Sequence, residues 1–247
     1  MKRALVISNG IGAERAFPNR EDVCFEVAQV GPDFSVDLAG YDILIAPNGT
    51  DHVALYRMRQ QIRNFLEAGN SLLCFCGWFL DWVPGNRWIH DNSKPTRDVR
   101  HFVGEDQLGL LDEVNLTALD HNRHGISGWW ACGFIEPAPG ATVLIKDTWD
   151  RALVVVDTVT TNGLMILTAS GPLGDYSHRG RGTSPLSCLY DNVIRHCANR
   201  EGANWKGVNW EGVNWEGEAP AEPLSAQVTA GASPIQFISH AEDGGVS

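Results

Sequence analysis

Apolar positions along this chain follow two rhythms. Short continuous apolar runs bounded by turn residues occur at 4–7, 41–47 and 71–76, the pattern of strands buried on both faces. Residues 24–30 add a second strand in chain order, with Phe25 and Val27 at period two. Between the runs at 41–47 and 71–76 the spacing changes. Val53, Leu55, Met58, Ile62, Phe65 and Leu66 approximate one face of a helix over 51–68, with Asp51 as its cap. Gly69 stands where a left-handed residue ends a helix. Further strands are predicted at 141–146, 152–156 and 164–168, divided by the turns Asp150-Arg151 and Asn162-Gly163, the latter a hairpin signal. A last helix is predicted over 185–198, with Ser184 as cap and Pro185 in its first turn. Residues 78–115 carry no regular pattern and are expected to be irregular. Strands alternating with helices predict an α/β fold: a three-layer, open, mostly parallel sheet with helices on both faces.

The pattern stops near residue 200. Beyond it, Asn204-Trp205-Lys206-Gly207-Val208 is echoed by Asn209-Trp210-Glu211-Gly212-Val213 and Asn214-Trp215-Glu216-Gly217-Glu218, a period of five that matches no solenoid or propeller. Residues 1–200 are therefore expected to form the folded domain, and 201–247 a mobile low-complexity tail. Composition changes meaning once the chain is divided this way. The tail holds Lys206 against seven acidic residues, so −6 of the formal charge of −11 lies there and −5 in the body. Neither part offers the basic footprint of a nucleic-acid binder. Trp205, Trp210 and Trp215 make a contact for a partner the alternative reading of the tail.

No apolar run reaches the roughly 18 residues of a membrane helix. The start, Met1-Lys2-Arg3-Ala4-Leu5-Val6-Ile7-Ser8, is broken by Asn9-Gly10 too early for a secretory leader, so a cytoplasmic protein is expected. The six cysteines (24, 74, 76, 132, 188 and 197) are then expected to be free thiols. Cys74-Phe75-Cys76 lacks zinc-site spacing. Asp120-His121-Asn122-Arg123-His124 holds metal-binding residue types, but on a loop that does not bring the rings together; it reads as solvated loop or, at His121, as a pocket wall. No metal and no cofactor is expected. Asn9-Gly10-Ile11-Gly12 follows the first strand as a dinucleotide loop would, yet Arg15 stands where the third glycine is needed.

In open α/β sheets, ligands bind at the carboxyl ends of the strands. Three such ends carry chemistry: Ser8-Asn9-Gly10, Pro47-Asn48-Gly49 and Cys76-Gly77-Trp78. A cysteine at a strand-to-turn junction is a candidate nucleophile. The N–H groups of Gly49 and Gly77 are candidates to face an oxyanion. Asn9, Gly10, Asn48, Trp78 and His121 are the candidate binding residues.

Tyr41-Asp42-Ile43-Leu44-Ile45-Ala46-Pro47-Asn48-Gly49 resembles the strand of class I glutamine amidotransferase-like proteins whose terminal glycine supplies an oxyanion N–H. The helix after it and the strand ending at Cys76 resemble the approach to that family's nucleophile elbow. His124-Gly125-Ile126 and Pro139-Gly140-Ala141-Thr142-Val143-Leu144-Ile145 are similar to the later part of its ThuA-like branch. The resemblance spans about residues 3–198 and implies a flavodoxin-like fold, with a carbohydrate-related ligand as the branch's contribution.

The departures bear on function. The family's elbow reads G-x-C-x-G, whereas here Cys74 replaces the first glycine and Trp78 the last. The His-x-Glu expected after the final strand is absent; Asp175 and His178 come several residues late. A thiol needs a base within hydrogen-bond reach and the base an orienting group. The expectation is therefore a small-molecule binding module that kept the fold and lost the triad. The alternative is a hydrolase or amidotransferase-like enzyme using Cys76, His178 and Asp175, with Gly49 and Gly77 as oxyanion donors. A homo-oligomer is compatible with either.

Overall fold

A computed structural model describes residues 1–8, 10, 17–31, 33–75, 77–95, 98–120, 131–169 and 185–200. The chain divides into two units, Met1–Lys206 and Gly207–Ser247, and the second lies wholly outside the described residues.

In chain order the first unit comprises β1 (Lys2–Ile7), β2 (Val23–Ala28), β3 (Ile43–Ala46), α1 (His52–Arg57), α2 (Arg59–Glu67), β4 (Ser71–Phe75), β5 (Arg87–His90) and β6 (His101–Val103). A 3-10 turn (Leu116–Leu119) follows, then β7 (Gly133–Glu136), β8 (Thr142–Asp147), β9 (Ala152–Asp157), β10 (Leu164–Thr168) and α3 (Pro185–Asn199). β2, β1, β3, β4 and β10 lie side by side, all parallel. Every residue of β3, β4, β9 and β10 is buried. Because strand side chains alternate between faces, both faces of the sheet centre are covered. The result is the expected α/β, flavodoxin-like architecture. No helix among the described residues is long and apolar enough to cross a membrane.

The sheet continues past β10 with antiparallel strands. Ala152 pairs with Lys146 of β8 and with Ile135 of β7, so those strands lie on opposite edges of β9. β10 shares the edge used by β7, its last residue Thr168 facing Val154. β7, with β5 paired to it, thus sits just beyond the carboxyl end of β10. The stretch 78–115, expected to be irregular, contains β5 and β6, and β7 also went unpredicted. All three are short and mix apolar with polar residues, so no run or period marks them.

Three local expectations were refined. The helix expected over 51–68 is two helices, parted at Met58, whose N–H is shared between the carbonyls of Ala54 and Leu55. Leu55, Met58, Ile62, Phe65 and Leu66 are buried, but Val53 is exposed. Gly69 has φ +90°, and its N–H and that of Asn70 bond the carbonyls of Leu66 and Phe65, a Schellman ending. Gly163, read as a hairpin residue, serves close approach: a Cβ there would fall 2.4 Å from the Asn70 carbonyl oxygen.

A buried polar knot ties the loops beyond the sheet. The Asp157 carboxylate accepts from Asn86 Nδ2 (2.7 Å), the Thr160 hydroxyl (2.6 Å), and the N–H groups of Thr160 and Val159. Asn86 Oδ1 accepts in turn from the Ala138 N–H. Burial opposes the charge on Asp157, yet these donors hold its pKa below the ordinary value.

Candidate functional site

The order β2-β1-β3-β4-β10 reverses direction between β1 and β3, so the crevice for a ligand opens at the carboxyl ends of those strands. In register, Val6 faces Ile45 and Ala46 faces Cys74. The ends of β1, β3 and β4 are therefore neighbours, and Gly10, Asn48, Gly49, Gly77 and Trp78 come to one edge. Asn9, Cys76, Asp175, His178 and His121 lie outside the described residues.

Each described end has its own local logic. After β1, the buried Ser8 accepts the Gly10 N–H at its hydroxyl, and Gly10 takes φ +72°. After β3, the Thr50 hydroxyl donates to the Pro47 carbonyl while Gly49 takes φ +82°. That turn delivers Asp51 to the start of α1, where its carboxylate accepts the N–H groups of Val53 (2.9 Å) and Ala54 (3.1 Å). Asp51→Ala is expected to cost about 1 kcal/mol, read as a lower thermal midpoint. His52, the first residue of α1, is thereby set beside the end of β4.

After β4 the chain meets a tryptophan from an unexpected direction. A Cβ on Gly77 would lie 2.0 Å from Cε2 and 2.3 Å from Cδ2 and Nε1 of Trp88. Glycine is required so that the β5 indole can rest on the backbone. Gly133 of β7 faces the same indole, where a Cβ would approach to 2.9 Å. The Trp88 N–H is buried and has no hydrogen-bond partner among the described residues. Trp78, expected as a binding residue, is only 2% exposed and packs in the core.

The rings at this edge are others. Phe79 is 70% exposed. It meets Trp88 edge-on (centroids 5.0 Å) and His52 edge-on (5.6 Å), while His90 lies 5.6 Å from Trp88. Beneath them the buried Trp82 donates its indole N–H to His52 Nδ1 at 3.3 Å. Phe79, Trp88, His52 and His90 form an aromatic shelf. None of these four is among the binding residues expected from the sequence. The one local signal was a histidine directly behind the helix cap Asp51.

Burial holds the His52 pKa below its ordinary 6.5, with Asp51 opposing in part. His196 is lowered likewise by burial, and further by Arg200. An unfolded chain therefore binds protons at these histidines before the folded one does. Their stabilising contribution is present above about pH 6.5 and is lost as pH falls through the folded values. Denaturant midpoints measured between pH 7.5 and 5 are expected to decline with acid.

The thiols differ in character. Burial pushes Cys197 up to about 12, leaving it inert. Cys24, Cys74, Cys132, Cys188 and Cys197 form no disulfide among the described residues. Among those residues, no three His, Cys, Asp or Glu side chains converge as a metal requires.

A five-stranded parallel layer in this order, with its crevice between β1 and β3, defines a flavodoxin-like α/β domain. No family model matches the chain, and no curated protein matches it in sequence. Among solved structures it matches a glutamine amidotransferase from Thermotoga maritima, with TM-score 0.53 and 11% identity over 81% of this chain and 99% of that one. The likeness is one of fold.

Proposed function

We propose that this glutamine amidotransferase-like domain is a non-catalytic binding module of the ThuA-like kind with a degenerate triad, holding a small, carbohydrate-related ligand on the shelf of Phe79, Trp88 and His52. The observation that carries this reading is the Trp88 indole resting on Gly77. An amidotransferase needs the backbone after its nucleophile open to substrate. Here a large ring is packed against it, and Phe79 beside it offers an exposed apolar face. Pockets that combine aromatic walls with few polar groups suit small ring-shaped ligands. The same reading keeps the protein in the cytoplasm, with its thiols reduced. It assigns the Asn-Trp-x-Gly repeat of the tail to contact with a partner.

The pairing of β3 with β4, whose ends lead to Gly49 and Gly77, favours the alternative, in which the Cys76 thiolate attacks the carbonyl carbon of an amide, the two N–H groups stabilise the oxyanion, His178 oriented by Asp175 passes the thiol proton to the departing ammonia, and water then releases the acyl group. One experiment separates the two. Tryptophan fluorescence of the full chain is expected to change saturably with a methyl glycoside, and Phe79→Ala to abolish the change. Ammonia release from glutamine is expected not to exceed that of Cys76→Ser. Glutamine hydrolysis that disappears in Cys76→Ser would establish the enzyme instead.

A further inference from the structure

We infer that Trp82 locks His52 as the neutral tautomer protonated at Nε2, so that the shelf recognises an uncharged ring by donating a hydrogen bond to an acceptor on it. The inference rests on the shelf reading above and narrows its ligand class.

An indole nitrogen only donates, so the nitrogen that accepts from it must be bare. Trp82 Nε1 donates to His52 Nδ1, hence a neutral His52 carries its proton on Nε2. Trp82 is 2% exposed, and its N–H would lose this acceptor if Nδ1 took up a proton. A buried donor without an acceptor is costly, so the packing resists both the other tautomer and the imidazolium. The lowered His52 pKa agrees with that geometry.

His52 is itself half-buried, between Trp82 stacked at 6.2 Å and Phe79 edge-on at 5.6 Å. It therefore couples the core to the exposed Phe79 ring. The shelf offers apolar ring surface for stacking and, at His52, a donor of fixed position. A quaternary ammonium ion that bears no oxygen has nothing to accept such a bond with, whereas a ring bearing a hydroxyl, ether or carbonyl oxygen does. Sugars and nucleosides share that chemistry, and the test distinguishes them.

The first measurement needs no ligand. Two-bond nitrogen–proton correlations on the full chain labelled with ¹⁵N-histidine are expected to show His52 protonated at Nε2 and bare at Nδ1. Trp82→Phe is expected to release the lock into a mixture of tautomers. A proton on Nδ1 in the wild type overturns the inference whatever binds. The second measurement titrates three probes: methyl β-D-glucopyranoside, uridine and tetramethylammonium. One of the two neutral rings is expected to bind, and tetramethylammonium not to. His52→Phe, which keeps a ring but removes the donor, is expected to weaken that binding about tenfold, the size of one net hydrogen bond. His52→Gln, whose amide can both accept from Trp82 and donate to a ligand, is expected to restore part of it. Equal affinity in His52→Phe, or binding of the cation alone, overturns the donor role and leaves the shelf standing. Binding of none of the three removes the shelf reading and this inference together.

Discussion

Replacing Gly77 by alanine is expected to destabilise the protein by about 2–3 kcal/mol, the cost of forcing a methyl group into packed structure. The new Cβ would stand 2.0 Å from Trp88 Cε2, far inside contact distance. Retreat of the indole is hindered: Gly133 backs it on β7, and the Phe79 ring stands edge-on to it with centroids 5.0 Å apart. The ring must turn out, taking the shelf with it. Thermal unfolding is expected to drop by roughly 5–10 °C, and any ligand of the shelf to lose affinity. A double-mutant cycle identifies the cause. If the methyl–indole clash is responsible, Gly77→Ala adds almost nothing once Trp88→Ala has removed the ring, and the coupling energy approaches the whole single-variant cost. Additive effects in the cycle would mean that Gly77 matters for some other reason.

Asp157→Ala is expected to cost more, about 3–5 kcal/mol, because it strands buried donors rather than merely shifting atoms. Asn86 Nδ2, the Thr160 hydroxyl and two backbone N–H groups all point at this carboxylate, which sits in a residue 1% exposed. The loss would spread, since Asn86 also fixes the Ala138 N–H at the approach to β8 and the Pro84 carbonyl ahead of β5. The strand that carries Trp88 is thus anchored through this knot. Asp157→Asn keeps the shape and the acceptor for the two backbone N–H groups, and is expected to cost less: the Thr160 hydroxyl can turn to accept, and only Asn86 Nδ2 loses its acceptor. The difference between wild type and Asp157→Asn should itself depend on pH. The folded pKa lies below the unfolded one, so the carboxylate's contribution is complete above about pH 4 and is lost as pH falls through the folded value. Unfolding free energies measured from pH 7 to pH 3 are expected to converge at the acid end. A constant difference across that range would mean that the charge contributes nothing.

Much of the parallel half was legible because its signals are local. A run such as 71–76 is apolar at every position after Ser71 and bounded by Asn70 and Gly77, which is the mark of a strand covered on both faces. Asp51 and Gly69 announced the start and end of the helical segment through hydrogen bonds that close within a few residues. The break at Met58 was invisible, since no proline or glycine causes it. Gly49 and Gly77 could be placed at strand ends from sequence, and the pairing of β3 with β4 makes those strand ends neighbours. What the elbow faces could not be read. Trp88 arrives on a four-residue strand with no periodic signature, and its partners Gly77, Phe79 and Gly133 are scattered over more than fifty positions.

By itself the sequence determined the kind of domain: its strand-forming runs, its helices and their caps, the turn glycines, and the edge of the sheet where function belongs. All of these depend on side-chain period and on hydrogen bonds between near neighbours. Only the tertiary structure decided that Trp78 goes inward while Phe79 stays out, that an indole covers the glycine after Cys76, and that Trp82 dictates which nitrogen of His52 holds the proton. Those outcomes depend on which segments the antiparallel extension brings against the strand ends. Such long-range pairing is settled by the packing of the whole sheet, and no short stretch of the chain encodes it.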